Sequence, residues 1–154
     1  MAPIRIAGPG DAATLARVLA ALSAELGEDH RADAEALAEA MARPFPPFRA
    51  AIAGETGAAL YSPLYSTVMG GAGVYVADLW VAPEARGIGL GRRLLHAVAE
   101  DADAVWGARF LTLAVYDHSR DAMAFYRRLG FRPVRGQERL MLDPAPFAAL
   151  KGET

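Results

Sequence analysis

Three glycines at alternate positions, Gly87, Gly89 and Gly91, lie between an apolar run ending at Val81 and a helical pattern that starts near Leu90. Glycine lets backbone N–H groups turn in directions closed to other residues. A helix beginning there adds its unpaired amides and the positive end of its dipole. Together these donors suit an anion, most naturally a pyrophosphate. The glycines alone fit equally well a tight strand-to-helix turn without a ligand. Two other phosphate loops do not fit. A nucleotide P-loop ends Gly-Lys-Ser/Thr, whereas Gly91 is followed by Arg92 and Arg93. A dinucleotide turn counted from Gly87 and Gly89 needs a third glycine at 92, which is Arg92, and an acid ending the next strand, which reads Ala114-Val115.

The elements that must position this loop can be read from periodicity. Residues 3–7 alternate as a short strand. Gly8-Pro9-Gly10 stops it, and Asp11 is expected to cap a helix in which Leu15, Val18, Leu19, Leu22 and Leu26 recur at helical spacing until Gly27. A second helix is expected over residues 32–42, with Leu37 and Met41 inward, ended by Pro44, Pro46 and Pro47. Strands follow at 48–53, 58–65 and 74–81. Pro63 marks an irregularity or a free edge in the middle one. The helix after the glycine loop carries Leu90, Leu94, Leu95, Val98, Ala102 and Val105 on one face and closes at Gly107. Residues 110–115 read as a buried strand. Ser119 caps a helix reaching Leu129, and Gly130 ends it. Residues 131–134 and 139–142 can pair as a last hairpin, and Asp143-Pro144 opens a terminal helix carrying Phe147 and Leu150. The order is β-α-α-β-β-β-α-β-α-β-β, a mixed α/β domain spanning residues 1–154.

Bulk properties narrow the function classes. The 154 residues suit one domain with a sizeable core; 53% are hydrophobic and 22% charged, too apolar for disorder. A net charge of −2 argues against nucleic acid as a partner. No apolar run approaches the ~20 residues of a membrane span, and the N-terminus shows no signal-peptide core. The absence of cysteine excludes disulfides, thiolate metal sites and a cysteine nucleophile. His30 and His118 fit no metal-ligand spacing, so no metal is expected. A cytoplasmic protein is the simplest reading.

Two segments carry a specific resemblance. Val81-Ala82-Pro83-Glu84-Ala85-Arg86-Gly87-Ile88-Gly89-Leu90-Gly91 resembles the coenzyme A motif of the GCN5-related N-acetyltransferases (GNAT), whose Gln/Arg-x-x-Gly-x-Gly/Ala core matches Arg86, Gly89 and Gly91. Ser119-Arg120-Asp121-Ala122-Met123-Ala124-Phe125-Tyr126-Arg127-Arg128-Leu129-Gly130-Phe131 resembles that family's Asn-x-x-Ala-x-x-Phe-Tyr-x-x-x-Gly-Phe segment. The order of elements also fits, so the likeness covers nearly the whole chain. It implies a single-domain GNAT fold, a mixed, mostly antiparallel sheet with helices on both faces. Residues 75–95, the ending Glu138-Arg139-Leu140-Met141-Leu142-Asp143 and the helical N-terminal half are also similar to diamine (spermidine/spermine) and thialysine N-acetyltransferases.

The resemblance implies roles. The backbone of Leu79, Trp80 and Val81 pairs with pantetheine as an added strand would, and Arg86, Gly87, Ile88, Gly89, Leu90, Gly91 and Arg92 hold the pyrophosphate. A backbone N–H near Val81 serves as oxyanion donor. Tyr126 hydrogen-bonds the coenzyme sulfur and acts as general acid. Ser119 replaces the usual asparagine, with a shorter reach toward pantetheine. The general base departs from the pattern: Ala77 and Ala114 stand where relatives carry glutamate, which leaves Asp78 or a water chain. Glu25, Glu28 and Asp29 cluster where the first two helices meet, beside the acceptor site of this fold, and could attract a cationic amine. A solvated helix end explains them equally well. The implied activity is acetyl transfer from acetyl-CoA to a small primary amine, a diamine, polyamine or lysine-like amino acid, by a homodimer. The alternatives are a protein or aminoglycoside acceptor, or a coenzyme A-binding module without catalysis.

Overall fold

In the computed structural model, which describes residues 2–153, the strand and helix patterns resolve into β1 (Arg5–Ile6), α1 (Ala12–Leu26), α2 (Ala34–Met41), β2 (Arg49–Ile52), β3 (Gly57–Ser66), β4 (Gly71–Val81), α3 (Leu90–Trp106), β5 (Leu111–Leu113), α4 (Arg120–Arg128) and α5 (Pro144–Leu150). The chain parts into two units between Tyr116 and Asp117. The first holds all five strands, in the order β1-β2-β3-β4-β5. Neighbours are antiparallel except β4 and β5, which run parallel and are joined through α3. Among the described residues no helix is long and apolar enough to cross a membrane.

The sheet of the first unit is covered on both faces, and β2 shows why. Its side chains alternate. Ala50 and Ile52 join Ala58 in a core with Leu15, Val18 and Leu19 of α1 and Leu37 of α2, against which Met41, Leu60 and Trp80 also pack. Full burial of Leu15 alone removes enough apolar surface to contribute about 2 kcal/mol. The other face carries α3. Leu90, Leu94, Leu95, Val98 and Ala102 are buried, and a methyl group on Gly57 would press on Leu94 and Leu90. On this face Arg49 donates to Asp101 of α3 twice, at 2.6 and 2.9 Å, and the buried Tyr61 hydroxyl donates to the same carboxylate at 2.5 Å. Trp106 meets the Tyr61 ring edge-on at 6.0 Å.

Several details differ from the sequence expectations. Asp11 stands at the start of α1 but does not cap it; its carboxylate turns back to the Gly8 N–H and the Arg5 guanidinium, and the Arg5 bond holds its pKa down at about 2. Val105, in the last turn of α3, is 48% exposed rather than buried with Leu94 and Val98. The strand expected at 110–115 shortens to β5, which is half-buried rather than buried, because β4 covers one edge of it only at Val74–Val76. Pro63 keeps regular register with Val74; β2 ends opposite Tyr61, so the missing N–H of Pro63 faces a free stretch of β3.

The second unit, described by itself, contains α4 and α5. Gly130 follows α4 with φ 100°, and the Phe131 N–H returns to the Tyr126 carbonyl at 3.1 Å. Residues 131–134 and 139–142 form no hairpin ladder. An isolated two-stranded hairpin is marginal in water, and Val134, Leu140, Met141 and Leu142 stay exposed here. Phe147 and Leu150, which the terminal helix carries, are 50% and 75% exposed.

Candidate active site

The end of β4 presents an open backbone edge, and its cause is a single extra residue. Leu60 of β3 opposes Asp78, but Tyr61 opposes Val76, so Ala77 is left over as a bulge. Before the bulge, the Val74 N–H donates to the Phe110 carbonyl and β4 is held to β5. That pairing ends at Val76 with Leu113. Beyond the bulge, the Ala82 N–H donates to the Thr56 carbonyl at 2.7 Å. Alternation then turns the backbone of Trp80 and Asp78 toward β3, and that of Leu79 and Val81 toward the side β5 has left. Two of the three residues expected at this edge, Leu79 and Val81, therefore turn away from β3, although the Val81 carbonyl already accepts the Arg86 Nε–H, so that Val81 offers its N–H only. Trp80 does not: its backbone belongs to β3.

A short 3-10 turn at Pro83–Ala85 carries the chain from this edge to the glycines. Gly87 has φ 81° and Gly89 has φ 86°, the left-handed region that only glycine enters cheaply. Gly89 is the N-cap of α3, and its carbonyl accepts the Arg93 N–H at 3.1 Å. The N–H groups of Leu90, Gly91 and Arg92 precede the first intrahelical bond and point out of the helix end. A Cβ on Gly87 or Gly89 would meet nothing within 4 Å, so among the described residues no side chain fills the space directly beside the turn. Gly91 lies within the helix and needs no special conformation. Leu90 is 2% exposed and offers only its N–H, while Ile88 is exposed at the tip of the turn. Arg92 is exposed at the helix start. An open strand edge followed by a ring of amides fits an extended chain ending in a diphosphate, the chemistry of coenzyme A.

Arg86 does not reach into this space. Its Nε donates to the Val81 carbonyl at 2.8 Å and its guanidinium pairs with Glu25 at 2.6 Å. Glu25 also accepts the Trp80 indole N–H at 2.6 Å. The Arg86 bond holds the Glu25 carboxyl below its usual range against the opposing effect of burial. Each Glu25 oxygen thus already accepts a bond within the protein, so this acid is part of an ion-paired cluster rather than a solvated helix end.

Asp78 shares the α1 face with Trp80, turned there by the bulge. Burial pushes its pKa up, the neighbouring Glu28 charge pushes it further, and His30 opposes them. The His30 Nε2 is buried without a hydrogen-bond partner among the described residues. Sequence reasoning placed Glu28 and Asp29 near the acceptor side. The structure brings Glu28 into the field of Asp78 and leaves Asp29 exposed. No sequence signal pointed to His30, because it is separated from Asp78 by 48 positions and belongs to no motif. Among the described residues no group of three or more His, Asp or Glu side chains could hold a metal ion.

In the second unit, Tyr126 sits on α4 between two aromatic rings, Phe125 at 5.2 Å and Phe131 at 5.4 Å. Burial raises its pKa above the ordinary phenol value. Ser119 is the N-cap residue of α4, but its hydroxyl makes no capping bond, contrary to expectation; its carbonyl accepts the Met123 N–H.

The sheet with its bulged fourth strand, the open edge and the glycine turn into α3 define an acyl-coenzyme-binding class of α/β domain. The chain belongs to the acetyltransferase (GNAT) family, whose sequence model matches residues 18–131. It is similar to the thialysine N-epsilon-acetyltransferase of Sus scrofa, 38% identical over 82 residues that make up 53% of this chain and 47% of that protein. The chain thus spans about half the length of that curated relative. The fold is shared with an integron cassette protein from the mobile metagenome of V. cholerae, at a TM-score of 0.75 and 20% identity over 97% of this chain and 96% of that one. It is shared also with the ribosomal-protein-alanine N-acetyltransferase of Brucella melitensis, at a TM-score of 0.73 and 18% identity over 92% of this chain and 100% of that one.

Proposed function

We propose that the protein is an acetyl-CoA-dependent N-acetyltransferase acting on the primary amine of a small molecule, a diamine, a polyamine or a lysine-like amino acid. The observation that carries the reading is the end of β4, where the edge at Leu79 and Val81 leads into the Gly87–Gly89 turn. Pantetheine adds to that edge through the backbone of Leu79 and Val81. The amides of residues 87–92 hold the diphosphate, with Arg92 supplying charge. The reading keeps Ser119 among the cofactor-binding residues, as the family resemblance implies. The similarity to a thialysine acetyltransferase supports a lysine-like acceptor, and the acidic pair Asp78 and Glu28 suits a cation. The same reading includes a cytoplasmic location, in keeping with a cysteine-free sequence. It also includes a homodimer, for which the exposed Leu140 and Met141 offer apolar surface.

The thioester supplies an activated acyl carbon; the chain's residues manage the protons and the charge. The amine nitrogen must be neutral to form the new C–N bond, so Asp78 takes its proton. Its raised pKa makes it a better base than an ordinary carboxylate, because proton affinity moves toward working pH. An N–H at the open edge of β4, near Val81, stabilises the oxyanion, a type of contact worth about 3 kcal/mol in other acyl-transfer sites. As the C–S bond breaks, the nitrogen, positively charged since the attack, gives up its second proton; Tyr126 hydrogen-bonds the leaving sulfur, passes it the phenol proton and recovers a proton from the one the nitrogen releases through solvent.

Thiol release with a panel of amines tests the reading. Turnover is expected with diamines or lysine analogues and not with aminoglycosides or peptide N-termini. Tight coenzyme A binding with no turnover on any amine would make the protein a binding module. Asp78→Asn is expected to lower kcat/KM about 10- to 100-fold near neutral pH. In the wild type, kcat/KM falls on the acid side through a pKa above the usual carboxylate value, and that limb disappears in Asp78→Asn. An acid limb that survives the substitution would exclude Asp78 as the base.

A further inference from the structure

We infer that Glu25 is a positioning residue for the coenzyme side of the site, tying helix α1 to both ends of the turn that joins β4 to the phosphate-binding glycines. This rests on the reading of that turn as the coenzyme site. The carboxylate spans two donors that lie far apart in sequence: the Trp80 indole at 2.6 Å and the Arg86 guanidinium at 2.6 Å. Arg86 in turn reaches back to the Val81 carbonyl at 2.8 Å. Val81 ends the open edge of β4, and Arg86 immediately precedes Gly87. The bonds therefore close a ring around the 3-10 turn Pro83–Ala85, setting the separation between the edge and the amides.

The consequence is a division of labour. The Arg86 charge is spent on Glu25, so attraction for a diphosphate comes from the helix end and Arg92. What Arg86 contributes is shape. Charge-assisted bonds of this length hold a geometry better than neutral ones, and a multidentate ligand is sensitive to small misplacements of its donors. Trp80, clamped at its indole nitrogen and packed against the core around α1, transmits the position of that helix to the same strand end.

Glu25→Gln preserves side-chain size but replaces the carboxylate by a neutral amide, so it releases Arg86. The glutamate side chain is 42% exposed, and the fold is expected to persist. Coenzyme A affinity by calorimetry is expected to fall about 10-fold, with the KM for the amine within about twofold of wild type. Arg86→Met, a second variant, is expected to give the same loss, and the double variant no further loss, because the two residues act as one unit. A general loss of stability would not produce that split between the two substrates. A raised amine KM with unchanged coenzyme A affinity would place Glu25 in the acceptor site and overturn the inference. Unchanged values for both would overturn it as well. A wild-type protein that binds no coenzyme A would instead sink the reading of the site itself, and this inference with it.

Discussion

Tyr126→Phe is expected to lower kcat about 10- to 100-fold while leaving the coenzyme A dissociation constant within about twofold of wild type. The substitution keeps the aromatic ring, and with it the packing against Phe125 and Phe131. It removes only the hydroxyl. Burial raises the phenol's pKa, so the group is protonated at any physiological pH and always available as a donor. The same burial makes it a reluctant acid: thiols ionise near about 8.5, below an ordinary phenol near about 10. Complete transfer from tyrosine to a thiolate is therefore uphill. In the proposed role the larger service is a hydrogen bond to the sulfur as its charge develops, with the proton following. A bond to a charged group contributes about 1.5–3 kcal/mol, which sets the expected range. Because that charge exists only as the C–S bond breaks, the loss belongs in kcat rather than in ground-state binding. Calorimetry with coenzyme A and steady-state thiol release measure the two quantities separately. Equal losses in both would assign the hydroxyl to binding and remove it from the transfer step.

The sequence exposed what depends on local chemistry. Glycines at 87 and 89 could be read because a left-handed turn into a helix tolerates little else. The helices α1 and α3 announced their buried faces through spacing, and Gly27 and Gly107 their ends. Hidden were the features set by pairings across long separations. The bulge at Ala77 decides which way Asp78 and Leu79 face, yet Ala-Asp-Leu in a strand carries no mark of an extra residue. Glu25 reads as a solvated helix end until Trp80 and Arg86, 55 and 61 positions away, are brought to it. Alternation at 139–142 suggested a strand, but a strand also needs a partner edge, and none is paired with it among the described residues.

A second large effect is expected at a position with no part in the chemistry. Asp101→Ala should destabilise the fold by about 3 kcal/mol, lowering Tm by roughly 6–12 °C. The Asp101 carboxylate is 12% exposed and serves three donors: Nε and Nη2 of Arg49 and the hydroxyl of Tyr61. Alanine leaves the Tyr61 hydroxyl buried without its acceptor, beside a cation 31% exposed. Asp101→Asn retains one acceptor and loses the charge, so its cost is smaller, about 1–2 kcal/mol. The pH dependence follows from the direction of the shift. Burial opposes ionisation of Asp101, but the bonds from Arg49 and Tyr61 outweigh it, and its pKa lies below the ordinary value in the fold. The unfolded chain binds the proton more readily, near about pH 3.9. The stabilisation is thus fully present above that pH and is lost as pH falls through the lower, folded value. Urea unfolding at pH 7 and at pH 3 should show a large gap between wild type and Asp101→Asn at the higher pH and a smaller one at the lower. The acid limb of Asp101→Asn does not flatten entirely, because Asp11, with its pKa of about 2, loses its Arg5 bond over the same range. A gap equally wide at both pH values would mean that shape, not charge, is what Asp101 provides between the sheet and α3.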